Sequence, residues 1–597
     1  MNSRIFLKTF VVLFIMISCK ESGSKTTIED NSIQTPPNII LIMADDQGWG
    51  DLGHSGNTNL STPNIDALAQ NGVSFTHFFV QPVCSPTRAE LLTGKYFTRL
   101  GIHGTSAGGE RMDPSATTLA EILKKEGYKT AAYGKWHNGM QAPYHPNAQG
   151  FDDFYGFASG HWGNYFSPML EHNGQLVKGN GYLVDDLTQH GLEFIEKNKE
   201  NPFFLYLPLN TPHSPMQVPD AYWNRFKDKE LAMTYQGEEN EDKQITTAAL
   251  AMVENIDGNV GKITQKLRDL ELEENTIVIY LSDNGPSDWR WNGGMRGKKG
   301  STDEGGVRTP FFIQWKNTLT AGTEITEIAS VLDVLPTLLS MIGLSTKQMG
   351  SFDGKNLQPL FFQDNPVWQD RMIFNHWNGR TSIRTQKYRL DSEERLYDMT
   401  TDYGQTKDVS KTFPTIKDSL VKAKQEWLNN IVPMTKATDN RPFTLGHPDY
   451  AYTQLPARDG IGHGKIKRSN RYPNNTFFTN WTREQDSISW DVEVLEKGNY
   501  KTTLYYTLPQ QEEGLVVHLI NGKNNLSTII PIAHDPPLMG MEDDRTPRME
   551  SYVKDFRPID LGTIFLQRGR RPMVLKTSNN KSGRGLDVRL LLFERVE

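Results

Sequence analysis

Cysteine is almost absent from this chain. Only Cys19 and Cys84 occur in 597 residues, which excludes a disulfide framework. Long hydrophobic runs are scarce too. The apolar stretch Phe10 to Ile17 is too short to span a bilayer, and no other stretch approaches about 20 apolar residues, so the mature chain is not expected to cross a membrane. A surplus of positive charge is also missing: 64 Lys and Arg against 71 Asp and Glu leave a net charge of −7, which argues against a nucleic-acid partner. The apolar fraction of 37% and charged fraction of 23% suit a soluble globular protein. The length allows several domains, and no solenoid period is present.

What is present begins with a leader. Arg4 and Lys8 precede the apolar core, Ser18-Cys19 follows it, and Lys20 to Lys25 is polar. This arrangement resembles a bacterial lipoprotein signal, with residues 1–18 removed, Cys19 acylated as a membrane anchor and residues 19–36 a tether. It implies an exported protein held on a bacterial membrane, facing the periplasm or the cell surface. The plainer alternative is an ordinary signal peptide with an incidental cysteine. If Cys19 is the anchor, Cys84 remains as the one cysteine of an exported chain, where an unpaired thiol is a liability unless it is used or modified.

Cys84 stands in Pro82-Val83-Cys84-Ser85-Pro86-Thr87-Arg88-Ala89-Glu90-Leu91-Leu92-Thr93-Gly94. This reads as a loop entering a helix, with Pro86 in the first turn and Gly94 as a left-handed cap. Cys84 is expected just ahead of the helix, where free N–H groups favour an anion, with Arg88 about one turn on. On these grounds the thiol is expected to ionise easily. The alternative is a buried structural cysteine.

Four apolar runs read as buried parallel strands alternating with helices: Asn38 to Met43, Lys129 to Tyr133, Pro202 to Leu207 and Thr276 to Leu281. The expected architecture is a doubly wound α/β domain over residues 37–370. Each run ends in a polar cluster: Asp45 and Asp46; Lys135 and His137; His213; Asp283 and Asn284. In open α/β sheets ligands bind at that edge. Any one cluster alone would pass for a polar turn; four at one edge point to a site. The loop Trp291 to Gly300, basic and rich in glycine, is placed to approach an anion, or else is a disordered hairpin tip. Residues 325–341 read as helical. Residues 371–434 read as a small antiparallel sheet plus a helix, 435–475 as a linker or ordered loop, and 476–597 as a β-sandwich.

Asp45, Asp46, Asp283 and Asn284 offer only oxygen, so the expected ion is hard, Ca²⁺ first and Mg²⁺ second. Arg88, Lys135, His137, His213 and Lys299 surround it with cationic or protonatable groups. That combination suits displacement at an anionic ester, and a purely structural ion would not need it.

At this point the motifs match a family. Cys84-Ser85-Pro86-Thr87-Arg88 resembles the C-x-P-x-R signature of formylglycine-dependent sulfatases, and Gly127 to His137 resembles their second signature. The resemblance covers residues 36–430 and implies an alkaline-phosphatase-like fold and a sulfuric ester hydrolase. It also implies that a maturation enzyme converts Cys84 to formylglycine. Asp45, Asp46, Asp283, Asn284 and residue 84 would then bind Ca²⁺, and the hydrated aldehyde would attack sulfur. His213 would serve as acid, His137 as base, Lys135 and Lys299 as sulfate ligands, and Arg88 would orient the nucleophile. Lys298 is the close rival of Lys299. The Asp-Pro-x-Glu usual after Leu396-Tyr397-Asp398 is replaced by Asp402-Tyr403-Gly404-Gln405. The substrate implied is a sulfated saccharide, an algal polysaccharide such as ulvan or carrageenan. Candidate sugar contacts are His161, Trp162, Trp289, Trp291, His376, Trp377 and Arg380, and residues 476–597 are a candidate carbohydrate-binding module. A phosphonate or phosphate-diester hydrolase on the same fold, and an inactive glycan-binding surface protein, are the alternatives.

Overall fold

The computed structural model describes residues 36–345, 351–363, 366–432, 440–581 and 583–596. The leader and the tether up to residue 35, Cys19 included, lie outside the described residues. No helix among the described residues is long and apolar enough to cross a membrane.

The four apolar runs form strands β1 (Asn38–Asp45), β2 (Lys129–Lys135), β3 (Phe203–Pro212) and β4 (Thr276–Ser282). They lie side by side and parallel, in the order β4-β1-β3-β2, at the middle of a ten-stranded mixed sheet. Strand β1 shows why its run is continuously apolar. Ile39, Leu41 and Met43 face one side, in a core with Leu91 and Leu92 of helix Cys84–Thr93 and Leu335 of helix Val334–Met341. Ile40, Ile42 and Ala44 face the other, packed with Leu187 of helix Leu183–Asn198 and Leu250 and Val253 of helix Lys243–Asp269. Both faces are covered, so the run from Ile39 to Ala44 stays apolar until the strand ends. Each of its fully buried isoleucines contributes about 1.5–3 kcal/mol.

Strands Ile373–Trp377, Arg380–Arg384, Tyr388–Leu390 and Leu396–Asp398 pair antiparallel in chain order, and helix Pro414–Ile431 packs Leu420 on Ile383, Leu390 and Leu396. Residues 325–341, read as helical, are divided: Ala329–Ser330 is a strand, and the α-helix begins only at Val334.

Beyond this, two six-stranded sheets enclose one apolar core that includes Trp490, Leu504, Leu519, Leu575 and Phe593. The reading of 435–475 as a linker needs correction. Phe443–Leu445, Tyr452–Pro456, Ile461–His463 and Lys467–Arg468 are strands of this sandwich. They are short, and Tyr452–Pro456 pairs with the C-terminal strand Asp587–Val596, a partner that a local pattern does not reveal.

The sandwich is bonded to the α/β domain. Arg458 is buried and its guanidinium meets the buried Glu110 carboxylate, Ser159 Oγ at 3.1 Å and Asp459 Oδ1 at 3.0 Å. Gln141 Nε2 donates to Gln454 O and Asp459 Oδ2, both at 3.0 Å. Arg458→Ala would strand Glu110 as a buried unpaired charge. The expected loss is about 3–5 kcal/mol of stability, read as a lower midpoint in denaturant unfolding; an unchanged midpoint would contradict the structural role.

Candidate active site

The carboxyl ends of the four parallel strands deliver the polar clusters to one place. Ligand atoms of Asp45, Asp46, Cys84 and Asp283 all lie within 4.8 Å of one another, and all four residues are buried. Asp45 ends β1, and Asp46 follows in a left-handed turn, φ 65°, a conformation uncommon outside glycine and found at strained functional positions. That turn is braced. Asp46 N donates to Asp283 Oδ1 at 3.1 Å, and Arg290 donates from Nη2 to Asp46 O at 2.9 Å while paired with Asp51. Asp283 and Asn284 follow β4, and Asn284 Nδ2 donates to Asp46 Oδ1 at 2.8 Å.

Cys84 is the first residue of helix Cys84–Thr93, which ends at Gly94 with φ 64°. The entire helix is buried, and this changes the expected acidity. Burial pushes the Cys84 thiol up to about 12, outweighing the pull of Lys135 and Lys299. An unmodified Cys84 is therefore a neutral thiol at physiological pH, not the easily ionised one that its helix position suggested. Its Sγ lies 3.5 Å from Asp45 Oδ1.

Three cations press against the carboxylates. Lys135 Nζ is 2.7 Å from Asp45 Oδ2, and Lys299 Nζ is 2.6 Å from Asp46 Oδ1. Arg88 donates from Nε and Nη2 to Asp283 Oδ2, at 3.1 and 2.7 Å, and from Nη1 to Lys135 O at 2.8 Å. Lys298, the rival of Lys299, instead stands 5.1 Å over the Trp289 ring. The loop that carries Lys299 is pinned, with Gly300 N donating to Pro82 O at 2.7 Å beside the Cys84 segment.

The donor set fits a divalent cation. Three carboxylates converge in a buried space, and Asn284 Oδ1 is buried with no partner among the described residues. Burial opposes the charge of Asp45 and Asp46, but the lysines and His213 keep both carboxyls low, with Arg88 adding to the pull on Asp45. Asp283 goes the other way, pushed up to about 6 by burial and by Asp45. Crowded carboxylates of which one resists ionisation are what a hard cation relieves.

Two histidines flank the cluster. His137 Nε2 lies 2.8 Å from Thr105 O, which assigns the proton to Nε2 and leaves Nδ1 as a free base; Nδ1 is buried with no partner among the described residues. Burial lowers its pKa well below the usual range. Gly160 makes room for it: a Cβ there would sit 2.1 Å from His137 Nε2. His213 turns Nδ1 to Ser214 O at 2.7 Å and presents Nε2 to the cluster, 3.7 Å from Asp46 Oδ2. Tyr165, which the sequence did not single out, holds this turn by donating to Ser214 O at 2.8 Å.

The outer candidates separate. Trp289 and Arg380 line a pocket of about 330 Å³ with Lys298 and Lys299. Trp291 leans on Trp49, ring centroids 6.4 Å apart. His161 is buried beside His213, ring centroids 5.5 Å apart. Trp162 faces the sandwich, stacked on Phe157 with Arg589 over its ring. His376 and Trp377 are elsewhere. His376 is buried between Phe97 and Trp427 and bonded to Thr381 Oγ1 at 2.7 Å, and Trp377 packs on Phe97; both brace the small sheet and neither reaches the pocket lined by Lys298 and Lys299. Sequence reasoning missed Glu550. This residue of the sandwich accepts a hydrogen bond from Ser214 Oγ and lies with His161 and His213 in a second cluster.

Comparison with known proteins bears on this geometry. The sulfatase family profile matches residues 37–344. The human N-acetylgalactosamine-6-sulfatase is 32% identical over 381 residues, 58% of this chain and 69% of that protein. The crystal structure of Ps i-CgsB in complex with k-i-k-neocarrahexaose is 32% identical with a TM-score of 0.60, covering 68% of this chain and 95% of that one. A phosphonate monoester hydrolase of Agrobacterium radiobacter shares the fold alone, at 19% identity and a TM-score of 0.51, covering 68% of this chain and 98% of that one. With half of its length under the family profile and a buried cluster of carboxylates and cationic side chains at its strand ends, the chain belongs to the sulfatase family and hydrolyses sulfuric esters.

Proposed function

We propose that this protein is an exported, lipid-anchored sulfatase that removes sulfate from galactose-type units of an algal polysaccharide or its oligosaccharides, using formylglycine at position 84 and Ca²⁺. The observation that carries the chemistry is the meeting of Asp45, Asp46, Asp283 and Cys84 within 4.8 Å, against Arg88, Lys135 and Lys299. Once the thiol is exchanged for an aldehyde hydrate, every donor of the set is oxygen. This favours Ca²⁺ first and Mg²⁺ second. Because Cys84, Pro86 and Arg88 are all buried, a maturation enzyme that reads them acts before the chain has folded.

When in place, the aldehyde hydrate supplies an oxygen nucleophile and the cation offsets charge building on the sulfate. The chain's own residues do the rest. Lys135 and Lys299 exchange their carboxylate contacts for the sulfate oxygens. Arg88, held by Asp283 and Lys135 O, orients side chain 84. His213 Nε2 gives a proton to the leaving alcohol, and His137 Nδ1 takes up the proton released at position 84.

The acid role has a specific consequence. His213→Ala is expected to lower kcat/KM on a sugar sulfate by about 10²- to 10⁴-fold, and far less on an aryl sulfate whose phenolate leaves unaided. Steady-state kinetics on both substrates reads this; equal losses would contradict the assignment.

The sugar class rests on the relatives. One is named for N-acetylgalactosamine bearing a 6-sulfate, and the other was solved with a carrageenan oligosaccharide. Ulvan, the alternative expected from the sequence, is tested beside carrageenan by measuring sulfate release from each. The shared fold of the phosphonate hydrolase keeps a phosphorus substrate as the second reading. Comparing turnover of an aryl sulfate with that of an aryl phosphate diester separates them, and faster turnover of the diester would overturn the sulfate reading. An inactive glycan-binding protein would have no need of the assembled acid, base and anion-binding groups.

A further inference from the structure

The sandwich brings one of its side chains, Glu550, beside His213. Its segment between strands Asn524–Ile529 and Arg557–Leu566 is fastened to the α/β domain ahead of Glu550 and to the rest of the sandwich just after it. Gln217 Nε2 donates to Gly540 O and Asp544 Oδ1, at 2.8 and 2.9 Å; Arg545 N donates to Met216 O at 2.9 Å; and Ser469 and Ser551 bond through their hydroxyls at 2.7 Å. Between these anchors Glu550 meets His161 and His213, with ligand atoms of all three within 4.8 Å of one another. Burial works against its charge, but His213 and the Ser214 hydroxyl favour it and keep the carboxyl low. His161 is buried, and neither of its ring nitrogens has a partner among the described residues. Burial lowers its pKa to about 3, so the ring is neutral.

The position of His213 decides what these groups face. On the reading that His213 protonates the oxygen linking sulfate to sugar, the sugar ring lies beside this imidazole, which Glu550 and His161 also neighbour. The site is thus divided by charge. Arg88, Lys135 and Lys299 receive the sulfate. On the sugar side stand a half-buried carboxylate and a neutral imidazole with unmet hydrogen-bonding atoms. A carboxylate there accepts hydroxyl groups strongly, and it repels a second sulfate or a uronate carboxylate held close by.

We propose that Glu550 is a specificity-determining residue, placed to accept hydroxyl groups of the sugar that carries the scissile sulfate and to turn away a sugar with a second anionic group beside that ester. This rests on the sulfatase reading of the site, and its test separates the two. The full-length, formylglycine-bearing enzyme and its Glu550→Gln and Glu550→Asp variants are assayed on a monosulfated galactose and its disulfated counterpart. The wild type is expected to favour the monosulfated sugar, and Glu550→Gln to reduce that preference about tenfold or more, largely through KM, with Glu550→Asp restoring most of it. Equal losses on both sugars would assign Glu550 a merely structural role and overturn the proposal. The same sugars titrated calorimetrically into Cys84→Ala and Cys84→Ala/Glu550→Gln protein read the preference without turnover. A preference lost with the charge supports the role of Glu550 even if the wild type cleaved no sulfate ester, a result that would overturn the sulfatase reading instead. A preference unchanged by Glu550→Gln in binding overturns the proposal.

Discussion

Replacing Cys84 by alanine is expected to abolish sulfate-ester hydrolysis, by about 10⁴-fold or more, in a protein that still folds. Among the described residues the side chain at position 84 makes one hydrogen bond, to Asp45 Oδ1 at 3.5 Å. The helix that carries it is secured by other residues: Leu91 and Leu92 in the core, and Arg88 on Asp283. Alanine suits a helix start inside a packed interior and removes a few atoms only. What is lost is the group from which the nucleophile is made. Protein with an unmodified Cys84 should be nearly as inactive, because a thiol pushed up to about 12 is almost entirely protonated at neutral pH. Initial rates on an aryl sulfate and a sulfated galactose, with circular dichroism to confirm folding, check this. Rates within a few-fold of wild type would mean that residue 84 is not the nucleophile.

Asp283→Asn is expected to cost about 10³-fold in activity and most of the affinity for the divalent ion. Asparagine keeps the shape and one acceptor for Arg88, which bonds Asp283 Oδ2 twice. A full truncation would leave that buried guanidinium without its main partner and confuse folding with function. In the wild type, a chelator should remove activity and Ca²⁺ should restore it better than Mg²⁺. Calcium at 100 times its Kd should also stabilise the folded protein by about 2.7 kcal/mol. Calorimetric melting with and without calcium reads that gain, which should shrink or vanish in Asp283→Asn. An equal gain in both proteins would place the ion elsewhere.

The core of the site was legible in the sequence because strand ends are punctuated chemically. A strand buried on both faces, such as Ile39 to Met43, admits no polar residue, so Asp45 and Asp46 announce where it emerges. Four such endings, together with the Cys84 and Lys135 motifs, specified the cluster that the fold assembles. Lys299 was preferred to Lys298 because it precedes Gly300 as in the family pattern; in the fold Lys299 reaches Asp46 while Lys298 covers Trp289. Other features were not legible. Cys84 was expected to ionise easily from its helix position, but desolvation at a wholly buried helix is the larger effect. The strands within 440–475 are short and pair with distant partners, so no local period marks them. His376 and Trp377 looked like pocket residues by type but pack among aromatic rings. Glu550 gave no signal at all. It lies 336 residues from the serine it touches, in a stretch of charged residues that reads as solvated surface, and only the docking of the sandwich brings it to His213.

The measurement that bears most directly on the central claim is the mass of the peptide containing Cys84, from protein made in its native source or beside a competent maturation enzyme. The account predicts that the peptide is lighter than its sequence by the difference between a thiol and an aldehyde, and that the modified fraction tracks sulfatase activity across preparations. A peptide of unmodified mass in fully active enzyme would contradict it.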